Sequence, residues 1–157
     1  MNSTNSIALQ SDESGKNYFF LALLINFIWI NASEVFRYFV FIMPMMQEEL
    51  AFIPNVAPMD LTIFMIWGIW DCILIFSVTA FSWIFFDKFG GSYTSAFRVG
   101  FFIWCSIFVI LWLGLFNMNI VSSPKIILTA LSLSLVELVI AACITRFYYL
   151  KNEAVNI

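Results

Sequence analysis

Three carboxylic acids lie inside long apolar stretches of this sequence: Glu34, Asp71 and Glu137. Placing a charged side chain at the centre of a lipid bilayer costs about 2.5–3.5 kcal/mol on insertion scales, so such residues face protein or water and often hold a proton or an ion. At about 1.5 Å of rise per residue, the three acids are expected within a layer about 6 Å thick. This spacing predicts one shared site.

A single basic residue is expected close to these acids. Arg37 follows Glu34 by three positions, so the two side chains are neighbours on one helix and are predicted to pair. Asp71 and Glu137 then have no basic partner at their depth, because Arg98 is expected near the opposite side of the membrane. The pattern predicts that one or both of these acids are protonated, or that a bound cation neutralises them.

Polar and aromatic neighbours extend the candidate site. Asn31 shares a helical face with Glu34, and Trp67 and Trp70 lie close to Asp71 in the sequence. Indole rings bind organic cations by cation–π contact. The predicted ligand- or ion-binding set, with no catalytic residue, is Glu34, Asp71, Glu137, Arg37, Asn31, Trp67 and Trp70.

Each of these residues also has a structural interpretation. The Glu34–Arg37 pair would then only fix the register of helices, and Asp71 and Glu137 would be protonated acids hydrogen-bonded to nearby serines or carbonyl groups. Asn31 would join neighbouring helices, as asparagine does in membrane proteins. The tryptophans would be interfacial anchors.

Four apolar stretches must position the acids, and each exceeds or matches the roughly 20 residues that a membrane-spanning helix needs. The predicted fold is an all-α integral membrane protein with an antiparallel bundle of four transmembrane helices over 18–150. The expected spans are 18–43, 61–86, 94–116 and 126–150. A disordered tail is predicted for 1–17 and a short polar tail for 151–157.

Helix breakers set the expected ends of the spans. Pro44 is predicted to end the first span, with one or two interfacial turns over 45–52. Asp60 suits the start of the second span, and Gly90 and Gly91 suit the turn that follows it. Pro124 is predicted to open the fourth span.

The flanking positive charges predict an orientation, since Lys and Arg concentrate on the cytoplasmic side. Lys125 falls on one side, and the other side holds Lys16, Lys88, Arg98, Arg146 and Lys151. Both termini are therefore predicted to be cytoplasmic, in a plasma or inner membrane.

Composition removes several kinds of chemistry. The sequence contains no histidine, which excludes bis-histidine haem, histidine-based zinc sites and Ser-His or Cys-His catalysis. The three cysteines lie singly in apolar stretches, which is typical of buried core residues. The net charge of −3 does not indicate a nucleic-acid partner. No cofactor is expected. The sequence allows binding of a monovalent cation, and it does not determine whether the protein has a metal site.

Three functions remain open. The favoured one is binding or transport of a cation, a proton-coupled solute or an amphipathic small molecule through the acidic layer. The second is a non-enzymatic subunit, assembly factor or sensor whose embedded charges dock on partner helices. The third is an intramembrane enzyme acting on a lipid or quinone. The expected partners are the bilayer, a small ligand, and either further copies of the chain or another membrane protein.

Overall fold

The computed structural model describes residues 3–52, 54, 60–118 and 123–155, with side chains described from residue 17 onward. Helices are the only regular secondary structure in this part of the chain. Its helices are α1 (Ser3–Arg37), α2 (Met43–Glu49), α3 (Leu61–Phe89), α4 (Tyr93–Trp104), α5 (Ile110–Asn117) and α6 (Pro124–Val155). Two π-helical turns, Tyr38–Ile42 and Cys105–Val109, join α1 to α2 and α4 to α5.

These elements form four helical segments that are long and apolar enough to cross a membrane: Asn17–Glu49, Leu61–Phe89, Tyr93–Asn117 and Pro124–Val155. The predicted all-helical class and the predicted number of apolar helices are thereby confirmed. The observed helices run a few residues past the predicted ends into polar sequence. Adding a residue to an existing helix costs far less than starting one, so apolar composition underestimates helix length.

The structure assigns helix to most of the segment 1–17, for which composition predicts a disordered tail. Helix α1 begins at Ser3, and residues 1 and 2 lie outside the described part. The physical reason is again that extending a helix costs less free energy than starting one. The apolar span provides the helix, and good helix formers such as Ala8, Leu9 and Gln10 extend it toward the N-terminus. At the other end α6 continues to Val155, through most of the predicted polar tail.

Pro44 does not end the first span, contrary to the prediction. The backbone N–H of Met43 donates to the carbonyl of Tyr38, five residues back, which is the π-helical pattern. Pro44 then occupies the first turn of α2, where a helix needs no N–H donor. The chain continues as helix to Glu49, within the stretch predicted to form interfacial turns.

The boundaries of α3 and the start of α4 follow capping rules. The Asp60 carboxylate accepts a hydrogen bond from the Ile63 N–H at 2.9 Å, as the sequence predicts for a helix N-terminus. Gly90 ends α3 with φ +79°, a conformation that favours glycine. Ser92 caps α4 through the Ser95 N–H at 3.0 Å.

Helix α6 packs against α1, α3 and α4 through a stripe of small side chains. The buried small residues of this stripe are Ala130, Ser134, Ala141, Ala142 and Thr145. A Cβ added to Gly100 of α4 would lie 3.0 Å from the Val139 Cα and 3.1 Å from the Leu138 carbonyl oxygen. Small residues therefore let the α4 and α6 backbones approach closely.

The α3–α4 turn is tied to α6 by Arg146. Its Nε donates to the Gly91 carbonyl at 2.7 Å, and its guanidinium carbon lies 3.8 Å from the centroid of the Tyr93 ring. A Cβ at Gly91 would meet Leu150 Cδ2 at 2.9 Å, so the turn packs directly on α6. Arg146 therefore fixes where α4 begins relative to α6.

Large apolar side chains cover the outside of the packed helices. Ile69, Ile73 and Ile84 of α3 are exposed, as are Phe20 of α1 and Phe102 of α4. Soluble monomers rarely expose contiguous apolar surface on this scale. The polar side chains Asn26, Thr79, Ser134 and Thr145 lie instead in the interior.

Asn26 joins three helices through its side-chain amide. Its Nδ2 donates to Thr79 Oγ1 of α3 at 3.0 Å and to Thr145 Oγ1 of α6 at 2.9 Å, and all three residues are fully buried. Asn31, by contrast, donates to the Phe27 carbonyl of its own helix at 2.8 Å.

Replacing Asn26 by leucine is expected to lower the free energy of unfolding by about 1–2 kcal/mol, since each interhelical hydrogen bond in such proteins contributes about 0.6–1.7 kcal/mol. Thermal unfolding of the protein in detergent measures the change. The matched control is Asn31→Leu, which removes no interhelical hydrogen bond and is expected to leave stability unchanged. Equal losses in the two variants would contradict the assigned role of Asn26.

Candidate functional site

Arg37 lies at the centre of the candidate site, at the end of α1. One end of its guanidinium pairs with Glu34 Oε1, the predicted partner. The other end, Nη1, lies 3.0 Å from Glu137 Oε2 on α6. All three residues are buried. A single guanidinium therefore bridges two carboxylates from two helices.

This bridge corrects the prediction that Glu137 lacks a basic partner. That prediction assigned Arg37 to the acid nearest in sequence. A guanidinium carries five N–H donors in a planar fork, so one arginine can serve two carboxylates at once. The second partner depends on how α1 and α6 pack, which spacing within α1 does not reveal.

Glu137 is held by α1 on one oxygen only. Besides Arg37, its Oε2 accepts a hydrogen bond from the Ser33 hydroxyl at 2.8 Å. Its Oε1 is buried and has no hydrogen-bond partner in the described part of the chain. The Trp29 indole N–H donates to the Glu137 carbonyl at 3.0 Å and fixes the α6 backbone at this point.

Asp71 of α3 differs from the other two acids. It is only 6% exposed, and among the described residues neither a hydrogen bond nor an ion pair reaches its carboxyl group. It lines the same cavity as Glu34 and Arg37. Asp71 is thus a buried acid that lines the cavity and has no hydrogen-bond or ion-pair partner in the described part of the chain.

The cavity has a volume of about 340 Å³, within the size range of small-molecule sites. Its lining comes from α1, α3, α5 and the second π-helical turn. The lining residues are Glu34, Arg37, Ile66, Trp67, Trp70, Asp71, Phe108, Leu111 and Trp112. The cavity therefore combines three ionisable side chains, from α1 and α3, with four aromatic and two aliphatic ones.

The cavity opens on the outer surface of the packed helices. Ile66, Trp70 and Leu111 are 60%, 41% and 41% exposed, although all three line the cavity. The opening lies between α3 and α5. The charged residues Glu34, Arg37 and Asp71 lie at the inner end, since each is buried.

The predicted site residues are brought together in part. Glu34, Arg37, Asp71, Trp67 and Trp70 line one cavity, and Glu137 lies behind it, bonded to Arg37. Asn31 does not line the cavity, because its amide is bonded to its own helix. Trp29 and Trp104 are not among the cavity-lining residues. Their indole N–H groups donate to the carbonyl groups of Glu137 and Leu131 on α6.

Several residues of the site are not predicted from the sequence. Ser33 binds Glu137, and a serine in an apolar helix gives no specific signal, although its spacing of four from Arg37 places both on one face. Phe108 lies under the Arg37 guanidinium, with the ring centroid 5.1 Å from Cζ. Phe108 lies in a π-helical turn. The regular α-helical spacing used to assign residues to a helix face therefore does not apply to it.

The chemistry available here is electrostatic. The cluster contains three carboxyl groups and one guanidinium, which pairs with two of them, so an additional proton or a cation could be accommodated. Across the described residues, no group of three or more His, Cys, Asp or Glu side chains is arranged to hold a metal ion. The cavity joins Asp71, which has no partner among the described residues, to aromatic side chains that can bind a cationic ligand.

Fold and site together define an all-helical protein with four helices long and apolar enough to span a membrane, and with a buried carboxylate–guanidinium cluster beside a cavity. Comparison of the chain with protein-family models, with curated proteins and with solved structures returned no match.

Proposed function

We propose that the four helices cross a membrane as an antiparallel bundle with both termini on the cytoplasmic side. The exposed apolar side chains on the helices support embedding in lipid. The contacts Asn26–Thr145 and Ser33–Glu137 support opposite directions for α1 and α6, because the residue number rises along one helix as it falls along the other. Lys88, Arg146 and Lys151 favour a cytoplasmic location for the ends that they flank.

We further propose that the protein binds a cation or a proton-coupled solute at this buried acidic layer. As a transporter, it would move this ligand through the layer. The observation that carries the proposal is Asp71, a buried carboxyl group that faces a cavity and has no partner among the described residues. An unpaired acid inside a membrane is costly unless a proton or a cation neutralises it. A ligand cation therefore replaces the missing partner.

The other charged residues have a supporting role in this proposal. Arg37 is held between Glu34 and Glu137 and is thereby kept from pairing with Asp71. If Arg37 moved to Asp71, it would leave both of its present partners uncompensated. The bridge thus preserves a free carboxylate for the ligand. Glu137, with one oxygen unpartnered in the described part of the chain, is the second residue that can carry a proton.

Replacing Asp71 by asparagine is expected to weaken cation binding about tenfold or more, because a hydrogen bond or ion contact to a charged group contributes about 1.5–3 kcal/mol. The measurement is equilibrium dialysis of the protein in nanodiscs against labelled sodium, rubidium and a quaternary ammonium ion. The matched control is Glu48→Gln, which neutralises an exposed acid of α2 away from the cavity and is expected to bind like the unmodified chain.

Saturable binding of none of the three ions, or binding that Asp71→Asn leaves intact, would overturn the proposed function. The docking alternative would then gain support, since the cavity opening between α3 and α5 also suits a basic side chain from a partner helix. A stoichiometric membrane partner with an intramembrane Lys or Arg would establish that alternative.

A further inference from the structure

We infer that the ligand of this cavity is an amphipathic organic cation, such as a quaternary ammonium with an apolar body, which enters from the lipid between α3 and α5. This inference rests on the proposed function and names its ligand class. Three features of the cavity carry it: the composition of its walls, the small number of its oxygen atoms, and the position of its opening.

The walls of the cavity are mainly aromatic. Trp67, Trp70 and Trp112 line it, together with Phe108. The Arg37 guanidinium already covers the Phe108 ring at 5.1 Å, and the Trp67 ring packs edge-to-face with Tyr38 at 4.4 Å, so Trp70 and Trp112 are the indoles best placed for a ligand. Tryptophan is the side chain that attracts a cation most strongly through its ring face. Indole rings beside a carboxyl group that has no partner among the described residues suit a cation with an apolar surface.

An inorganic cation would find too few ligands here. Calcium takes six to eight oxygen ligands, and magnesium demands a near-octahedral shell. Among the lining side chains, only Glu34 and Asp71 carry oxygen, and Glu34 is engaged by Arg37. The indole N–H groups can only donate. One free carboxylate does not replace the hydration shell of a small ion, whereas a quaternary ammonium needs no oxygen ligands.

The opening of the cavity faces the surface that the proposed bilayer would cover. Ile66, Trp70 and Leu111 line the cavity and are also exposed on the outside of the helices. A ligand that reaches Asp71 by this route must first dissolve in lipid with its apolar part. Amphipathic cations do so, and strongly hydrated ions do not.

The experiment compares two isosteric probes, phenyltrimethylammonium and its neutral analogue tert-butylbenzene, with the full chain in nanodiscs. Phenyltrimethylammonium is expected to bind saturably and to lose about tenfold or more in affinity in both Trp70→Leu and Asp71→Asn. Trp70→Phe, which keeps an aromatic face, is expected to retain most of the affinity. Binding of tert-butylbenzene is expected to be weaker and independent of Asp71.

The matched control is Phe81→Leu, which removes an exposed aromatic ring of the same helix outside the cavity and is expected to leave both probes unaffected. Circular dichroism verifies helix content in each variant. Because Trp70 is partly exposed, its replacement is not expected to unfold the protein, and Trp70→Phe provides a second, conservative test.

Failure of the inference and failure of the proposed function give different results. Binding of sodium or rubidium that requires Asp71, without binding of phenyltrimethylammonium, would overturn the organic-cation inference and leave the proposed function standing. The same holds if Trp70→Leu binds phenyltrimethylammonium as well as the unmodified chain does. Equal affinity for the two probes would show a merely apolar pocket and overturn the inference. Cation binding indifferent to Asp71→Asn would overturn both.

Discussion

Replacement of Arg37 by glutamine is expected to lower the free energy of unfolding by about 3–5 kcal/mol, the range seen when one member of a buried ion pair is removed. The cause is the loss of the guanidinium that contacts both Glu34 and Glu137, which leaves two buried carboxyl groups without this partner. Thermal unfolding in detergent, followed by circular dichroism, measures the change.

The control for this prediction is Arg98→Gln, which removes an exposed arginine of α4 and is expected to change stability little, since exposed ion pairs contribute about 0–1 kcal/mol. The double variant Arg37→Gln with Glu137→Gln removes a charge of each sign and is expected to recover part of the stability. Wild-type stability of Arg37→Gln alone would show that the bridge does not hold α1 to α6.

Gly100→Leu is expected to lower the free energy of unfolding by about 3 kcal/mol, at the upper end of the range for overpacked sites. The Cβ alone would lie 3.0 Å from the Val139 Cα and 3.1 Å from the Leu138 carbonyl oxygen. Both are backbone atoms of α6, so no side chain can turn aside, and the helices α4 and α6 must separate. The same unfolding measurement tests it.

Gly114 offers a matched position in the same helical segment. A Cβ there would meet no atom within 4 Å, and the residue is exposed. Gly114→Leu is therefore expected to be neutral or stabilising, because leucine favours helix more than glycine does. If Gly100→Leu proved as stable as Gly114→Leu, the close approach of α4 and α6 would be refuted.

Helix ends could be predicted where a local interaction determines them. Asp60 caps α3 through a hydrogen bond three residues along the chain, and Gly90 ends α3 with a positive φ. Both signals are contained in a few consecutive residues. Pro44 gave a wrong prediction because its effect depends on the π-helical turn before it. The sequence carries no comparably simple signal for that turn.

The acidic site could be predicted as a set of residues but not as a network. Depth along each helix was enough to expect Glu34, Asp71 and Glu137 near one another. Which acid Arg37 reaches besides Glu34 depends on the rotation of α6 against α1, and that rotation follows from packing of small side chains over the whole interface. The prediction that Glu137 lacks a basic partner was therefore wrong, whereas Asp71 has no ion pair or hydrogen bond among the described residues.

The two π-helical turns have a geometric consequence for the cavity. Each turn holds about one residue more than a turn of α-helix, and one residue corresponds to about 100° of rotation around the helix axis. Side chains after Tyr38–Ile42 and after Cys105–Val109 are therefore out of phase with those before them. A helical wheel drawn through either segment without this offset points Trp112 and its neighbours in the wrong direction. Converting the second turn to α-helix at its full length would rotate the indole of Trp112 by about 100° away from the chamber wall, whereas deleting one residue from the turn would keep its direction.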